Sequence, residues 1–444
     1  MNMAKKKIKL DDVDRPNLYR EIFPYTEFPK VEFDNQIVPL NIPEKIWITD
    51  TTFRDGQQAR PPYTPKQILR IFDFLHEIDG GTGLIRQSEF FLYSDRDREA
   101  VELCKARNYE FPQVTGWIRA VASDFKLVKQ MELAETGILT SASDYHIFLK
   151  LRKTRSQAMN GYLDVVKSAL DNNIIPRCHL EDVTRADFEG FILPFVAELM
   201  KLAKAYSSRV KIRLCDTLGF GVSFPGVELP RSIPKLIQGL LEAGVPGEWL
   251  EWHGHNDFHK VQVDAATAWL YGCCAANCSI FGVGERTGNP PLEAMVVEHA
   301  QIKGTDDRVN YAAITELARY AEKDLGFTLP GDYPLVGKGF NVTRAGIHAD
   351  GLLKNEEIYN CFDTEKLLNR PVGVAITDKT GAAGIKHYIE AKHDIEIPKH
   401  DPRIITIKDK IDAEYASDRV SAVSDEEMTA WIAEAFGKNL PPLR

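Results

Sequence analysis

No long apolar run interrupts this sequence, and none follows the short basic stretch Lys5-Lys6-Lys7 near its start. A signal peptide and a membrane span are therefore not expected. Basic charge is scarce as well. Acidic residues outnumber basic ones 64 to 55, the formal net charge is −9, and no other segment concentrates Lys or Arg, which argues against a nucleic-acid partner. The Gly-rich phosphate fingerprint of a dinucleotide-binding sheet is missing after the early strand-like runs. Internal repeats and low-complexity segments are missing too. Cysteine is sparse: seven residues, an odd number, scattered through stretches that read as core strands. That pattern fits thiols in a reducing cytoplasm. Cys274 and Cys278 have a spacing that could serve a metal, but their apolar neighbours favour buried, inert thiols.

What is present is an ordinary globular composition, 44% hydrophobic and 27% charged, in 444 residues. That length holds one large barrel plus a smaller appendage. Residues 1–40 carry Pro16, Pro24, Pro29 and Pro39 among mixed charges and read as a wrapping arm. Short apolar runs then begin at Ile46, Leu84, Val114, Ile138, Ile175, Val210, Trp249 and Cys278. Helix-period stretches lie between them, at 66–78, 155–172, 187–206, 233–243 and 261–271. Eight such units in about 250 residues predict an α/β fold, a TIM (β/α)8 barrel over 41–305. A doubly wound open sheet is the alternative. After about residue 305 the rhythm stops. A helix is predicted at 311–325, then a Pro/Gly-rich joint around Pro330-Gly331, Pro334 and Gly337. Residues 340–395 read as a small helical subdomain, and the last stretch as a short tail ending in a helix near 425–436. Residues 306–444 are thus a linker and a C-terminal helical lid, with no room for a further βα-rich regulatory domain.

Two stretches carry chemistry. Ile46 to Thr52 is an apolar, β-branched run that ends in Phe53-Arg54-Asp55-Gly56, as when a buried parallel strand delivers polar groups to a barrel rim. An ion pair closing a turn would look the same. In Trp252-His253-Gly254-His255-Asn256-Asp257, the two His are two residues apart in a strand, so both side chains can reach one ion. With one carboxylate added, two imidazoles and an oxygen suit Mn²⁺, Fe²⁺, Co²⁺, Zn²⁺ or Mg²⁺ and leave open positions for substrate. Arg54, Asp55, Glu89, Arg119, His146, Glu181, Thr217, His253, His255 and Asn289 all fall at or just after expected strand ends, the face where barrel enzymes assemble their sites.

Four segments together resemble one family: Asp50 to Gln58, His253 to Asp257, Gly282-Val283-Gly284-Glu285-Arg286-Thr287-Gly288-Asn289, and Gly346-Ile347-His348-Ala349-Asp350-Gly351. They are similar to the signatures of the acyl-CoA/2-oxo-acid condensing enzymes, the metal-dependent TIM barrels that include 2-isopropylmalate and homocitrate synthases. The resemblance spans roughly residues 40–390. Phe53, Gln57, Arg60-Pro61-Pro62-Tyr63 and Ser143-Asp144-Tyr145-His146 look most like the branch that makes citrate by Re-face attack.

The resemblance implies a role for each matching residue. Asp55, His253 and His255 would ligate a divalent metal, Mn²⁺ first and Co²⁺, Mg²⁺ or Zn²⁺ as alternatives, with Asn289 nearby. Arg54 would add charge near developing oxyanions. Thr217 would bond the substrate carboxylate and His146 would line the oxo-acid pocket. His348 and Tyr359 would handle the acetyl proton, with Glu181 holding His348, in a homodimer whose sites are shared. Gln87 stands where relatives usually place a Glu, and Thr343 where they usually have a His. Less negative charge, with Arg86 and Arg119 near, favours an oxo acid with a second carboxylate. The expected reaction is a Claisen condensation of acetyl-CoA with oxaloacetate giving citrate and CoA. Homocitrate, 2-isopropylmalate or citramalate synthesis is the nearer alternative, an acyl-CoA lyase the more distant one, and a metal-binding protein without catalysis the last.

Overall fold

The computed structural model describes residues 8–344, 346–393 and 395–437; the Lys5-Lys6-Lys7 run lies outside them. The chain divides into two units, Met1–Val309 and Asn310–Arg444.

In the first unit eight strands close a parallel barrel in chain order. They are β1 (Trp47–Asp50), β2 (Ile85–Phe91), β3 (Gln113–Ile118), β4 (Glu135–Ser141), β5 (Ile175–Glu181), β6 (Lys211–Asp216), β7 (Leu250–Gly254) and β8 (Ala275–Cys278). Strand β8 returns to β1 with Trp47 opposite Ala275 and Asp50 opposite Cys278. A helix follows each strand: α1 (Pro65–Asp79), α2 (Asp95–Lys105), α3 (Phe125–Gln130), α4 (Arg155–Asp171), α5 (Leu193–Ala205), α6 (Ile233–Glu242), α7 (Val261–Leu270) and α8 (Leu292–Lys303). Local sequence starts them cleanly. Thr64 and Gln67, Ser94 and Asp97, and Thr154 and Gln157 form reciprocal capping boxes on α1, α2 and α4. Pro65 opens α1 and a left-handed Gly80 closes it.

The apolar half of each strand faces the helices: Phe90, Cys178, Leu180, Ile212, Leu214 and Trp252 are buried there. The other half turns inward, and it is strongly polar. Arg213 bonds Glu89 (2.8 Å) and Glu251 (2.7 Å), Arg177 reaches both carboxylates at 3.3 Å, and Lys211 bonds Glu135 at 2.7 Å. Barrel interiors are usually filled by branched apolar residues. Here opposed charges fill much of it, each paired with an opposite charge across the barrel. Gly137 makes the room, since a Cβ there would lie 2.6 Å from His179 Nε2 and 2.8 Å from Glu89 Oε1.

Two strand positions differ from expectation. Strand β4 begins at Glu135, ahead of Ile138, because Glu135 points to Lys211 inside the barrel and so hides the strand's start behind a charge. Strand β8 ends at Cys278, where it was expected to begin, because Ala275, Ala276 and Asn277 lack the branched bulk that marks a strand.

Residues 8–45 run along the barrel unit without regular structure. Asp11 N donates to Gly190 O (2.9 Å), Asp34 N to Gly226 O (3.0 Å) and Asn41 N to Leu270 O (2.9 Å).

The second unit contains α9 (Ala312–Asp324), a parallel pair β9 (Val342–Thr343) and β10 (Gly373–Val374), then α10 (Gly346–Lys354), α11 (Thr364–Leu368) and α12 (Ala382–His393). Helices α13 (Pro402–Ala416) and α14 (Asp425–Phe436) complete it. Ile385, Ile389, Ile404, Ile407, Ile411, Met428 and Ile432 form one core across the last three helices. The final stretch is therefore packed structure where a tail was expected.

Candidate metal centre and active site

The carboxyl ends of the strands carry the site. The chain leaves β1 in a tight turn in which the backbone N–H groups of Arg54, Asp55 and Gly56 all donate to Thr51 O. Asp50, fully buried beneath it, accepts from Thr52 N (3.0 Å), Thr52 Oγ1 (2.5 Å) and Ser88 Oγ (2.5 Å), so it shapes the turn. The turn presents Asp55 inward. Its Oδ2 lies 3.7 Å from both His253 Nε2 and His255 Nε2, and the two Nε2 atoms are 3.3 Å apart.

Among the described residues this trio is the one group of acidic, His or Cys side chains close enough to share an ion. All three residues are buried. Burial holds both imidazoles below their usual pKa despite the pull of the Asp55 charge, so they are neutral and free to donate lone pairs. For Asp55, burial works against charge, but the Arg54 guanidinium beside it outweighs that and holds the carboxyl below its usual range. Arg54 bridges Asp55 Oδ1 (3.1 Å) and Glu89 Oε2 (3.0 Å).

Asn289 closes the ring from the loop after β8. Its Nδ2 donates to Gly254 O at 3.1 Å. The loop glycines are dictated by this approach: a Cβ on Gly284 would lie 2.0 Å from Asn289 Oδ1, and one on Gly288, at φ +92°, 2.0 Å from Gly282 O. Asn289 Oδ1 and Asp55 Oδ2 are both buried and accept no hydrogen bond. Unpaired buried oxygens beside two neutral imidazoles are what a divalent cation would satisfy.

A second cluster borders the first. Glu181, ending β5, accepts from Ser141 Oγ (2.5 Å) and pairs with His146 Nδ1 (2.8 Å) and Lys150 Nζ (3.1 Å). Burial opposes its charge, yet the His146 hydrogen bond and its other neighbours hold it at about 2. His146 sits in a π-helical turn, Tyr145–Lys150. Thr217 Oγ1 accepts from Asp182 N at 2.8 Å. It begins no helix, because α6 starts only at Ile233.

In the second unit His348 and Tyr359 are both exposed and stand together, ring centroids 4.4 Å apart.

Two expected substrate contacts lie elsewhere. Gln87 sits early in β2 and points into the barrel towards Glu135 (3.1 Å) and Lys211 (3.4 Å), because alternation puts it one layer below Glu89. Arg119 follows β3, but its guanidinium closes on Asp124 at 3.0 Å and covers Tyr93. Arg86 faces outward, stacked over Trp47 at 3.8 Å. Cations that follow the strands include Arg54, Lys150 and Arg286, the last paired with Asp257 at 2.9 Å and bonded to Thr217 O.

Sequence reasoning gave no role to Arg286 or to Asn277, whose Oδ1 lies 2.7 Å from His253 Nδ1. For Asn277 there was no signal, because the last strand was expected to begin one residue later, at Cys278. For Arg286 the signal was a charge inside a glycine-framed loop.

Comparison with known proteins adds the lineage. The profile of the HMGL-like family matches residues 45–320. Citrate (Re)-synthase of Clostridium kluyveri is 54% identical over 96% of this chain and 96% of that protein. Citrate (Re)-synthase of Syntrophus aciditrophicus is 52% identical over 99% of this chain and 71% of that protein. A 2-phosphinomethylmalate synthase of Streptomyces hygroscopicus is 39% identical over 95% and 97%. Among solved structures, hydroxymethylglutaryl-CoA lyase from Pseudomonas aeruginosa shares the fold at a TM-score of 0.52 and 18% identity, over 65% of this chain and 95% of that one.

Proposed function

The chain belongs to the HMGL-like family, and from that premise we propose how its barrel makes citrate. It is an acyltransferase of the citrate (Re)-synthase kind, condensing acetyl-CoA with oxaloacetate to give citrate and CoA, as its near-full-length relatives indicate. The reading of the centre rests on one observation: Asp55 Oδ2 and Asn289 Oδ1 are buried without partners beside the neutral His253 and His255. Asp55, His253 and His255 would hold a divalent metal, Mn²⁺ first, with Asn289 as a further oxygen. Such an ion, when bound, supplies Lewis-acid polarisation of the oxo-acid carbonyl.

The protein's own groups do the rest. Arg54 keeps Asp55 charged and adds positive charge where an alkoxide forms. Thr217 positions the carboxylate of the oxo acid, and His146, tied to Glu181, lines its pocket. His348 takes a proton from the acetyl methyl, with Tyr359 as its partner in proton handling. The methyl carbon then bonds to C2 of oxaloacetate as the C2=O π pair moves to oxygen. That oxygen takes up a proton through the Tyr359–His348 pair, and water cleaves the thioester to give citrate and CoA. The second carboxylate of the substrate would be met by Lys150 or Arg286, each giving up the carboxylate it now pairs with, Glu181 or Asp257. We place the enzyme in the cytoplasm, in line with its seven free thiols, and as a homodimer whose sites draw on both subunits.

CoA release from acetyl-CoA with oxaloacetate, 2-oxoglutarate, 2-oxoisovalerate and pyruvate, each with and without chelator, tests this. Turnover confined largely to oxaloacetate and lost with chelator is expected. A preference for 2-oxoglutarate would make the enzyme a homocitrate synthase, and chelator-resistant turnover would remove the metal.

A further inference from the structure

The two imidazoles at the centre are not held alike. His255 Nδ1 is buried with no hydrogen-bond partner. His253 Nδ1 faces Asn277 Oδ1 at 2.7 Å, and Asn277 Nδ2 faces Thr49 Oγ1 at 2.9 Å. The Thr49 hydroxyl in turn donates to Glu251 Oε1. All four residues are at least nine-tenths buried, so water does not interrupt the series.

The direction of each bond is forced from the far end. Glu251 Oε2 receives Arg213 Nε at 2.7 Å and Arg177 Nη1 at 3.3 Å. Both guanidinium groups stay protonated, so Glu251 sits in the barrel as the acid partner of two ion pairs. An ionised carboxylate can only accept, so Thr49 must donate to it. A hydroxyl has a single hydrogen, so Thr49 Oγ1 can only accept from Asn277. The amide nitrogen of Asn277 is thereby turned to Thr49 and its oxygen to His253. An acceptor at that place fixes the hydrogen of His253 on Nδ1 and leaves the Nε2 lone pair facing Asp55 and His255.

We propose that Thr49 and Asn277 form a one-way relay from Glu251 that sets the tautomer of His253 and so tunes metal affinity, an inference that rests on the metal reading above. Both are positioning residues. Neither is a ligand of the ion, and the side-chain hydrogen bonds of Thr49 go to Glu251 and Asn277. Partners of this kind typically change metal affinity by about 10–100-fold when removed.

The test is Mn²⁺ affinity of the purified full-length protein by competition with a fluorescent chelator, alongside thermal unfolding of the metal-free protein. Thr49→Val keeps the shape of Thr49 but cannot donate or accept, and should weaken Mn²⁺ binding about 10-fold. Asn277→Leu should weaken it by up to about 100-fold. Thr49→Ser keeps the hydroxyl and should keep affinity near that of the natural protein. Asn277→Asp keeps an acceptor for His253 but gives Thr49 no hydrogen, and should fall between the natural protein and Asn277→Leu. A natural protein that binds no Mn²⁺ would overturn the metal reading and the relay with it. Binding by the natural protein with Thr49→Val unchanged would overturn the relay alone, as would equal losses in Asn277→Asp and Asn277→Leu. Should Thr49→Val not fold, the Asn277 pair decides.

Discussion

Asp55, which is buried, and Glu181, which is half-buried, both stay charged, and each does so through named neighbours. For Glu181 the sign of the pH effect follows directly. Its folded value of about 2 lies below the roughly 4.3 of an unfolded Glu. The stabilisation is therefore complete above about pH 4.3 and is lost as pH falls towards 2. Relative to Glu181→Gln, the natural protein should lose up to about 3 kcal/mol between those limits, read from urea unfolding at stepped pH. A pH-independent difference would mean that His146, Ser141 and Lys150 do not hold the charge. At this scale the pair His253 and His255 was legible, because spacing within one strand fixes which side chains share a face. Asp55 was legible only through the resemblance of its segment to a family signature. Asn277, Gln87 and Arg119 were not. Their roles depend on partners on other strands, or on a bend after the strand, that no single segment encodes.

Elements explain why the site is so exact in so little chain. The loop Gly282 to Asn289 lets the Asn289 amide reach the barrel only because Gly284 has no side chain. Gly284→Ala places a Cβ against Asn289 Oδ1 and should weaken Mn²⁺ binding about 10-fold while circular dichroism of the barrel is unchanged. Unchanged affinity would show that Asn289 takes no part at the centre. The strand–helix rhythm was readable because parallel strands bury an apolar face against helices. Where it failed, at the start of β4 and along β8, the strand was either charged on its inner face or built of small residues. The polar interior itself could not be read. Arg177, Arg213, Glu89 and Glu251 lie far apart in sequence, and only closure of the barrel pairs them.

At the scale of the whole molecule, the proposed base and the metal centre belong to different units, His348 and Tyr359 to Asn310–Arg444 and the rest to Met1–Val309. If subunits share sites, Glu181→Ala and His348→Ala chains should each be inactive alone and regain citrate formation when co-expressed. Continued inactivity in the mixed protein would place both groups in one chain's site. The helical character of the second unit was legible from its loss of strand signals. The role of α13 and α14 in its core was not, because their apolar residues find partners only when they pack on each other and on α12.

The central claim is that the Asp55–His253–His255 centre holds the ion on which citrate formation depends. The most direct measurement is metal content and citrate formation in the same samples of natural protein, stripped and reloaded with Mn²⁺, and of Asp55→Asn. The account predicts that activity disappears with the ion, returns as it rebinds, and returns in neither respect for Asp55→Asn. Citrate formation by the stripped protein, or full activity in a metal-free Asp55→Asn protein, would contradict it.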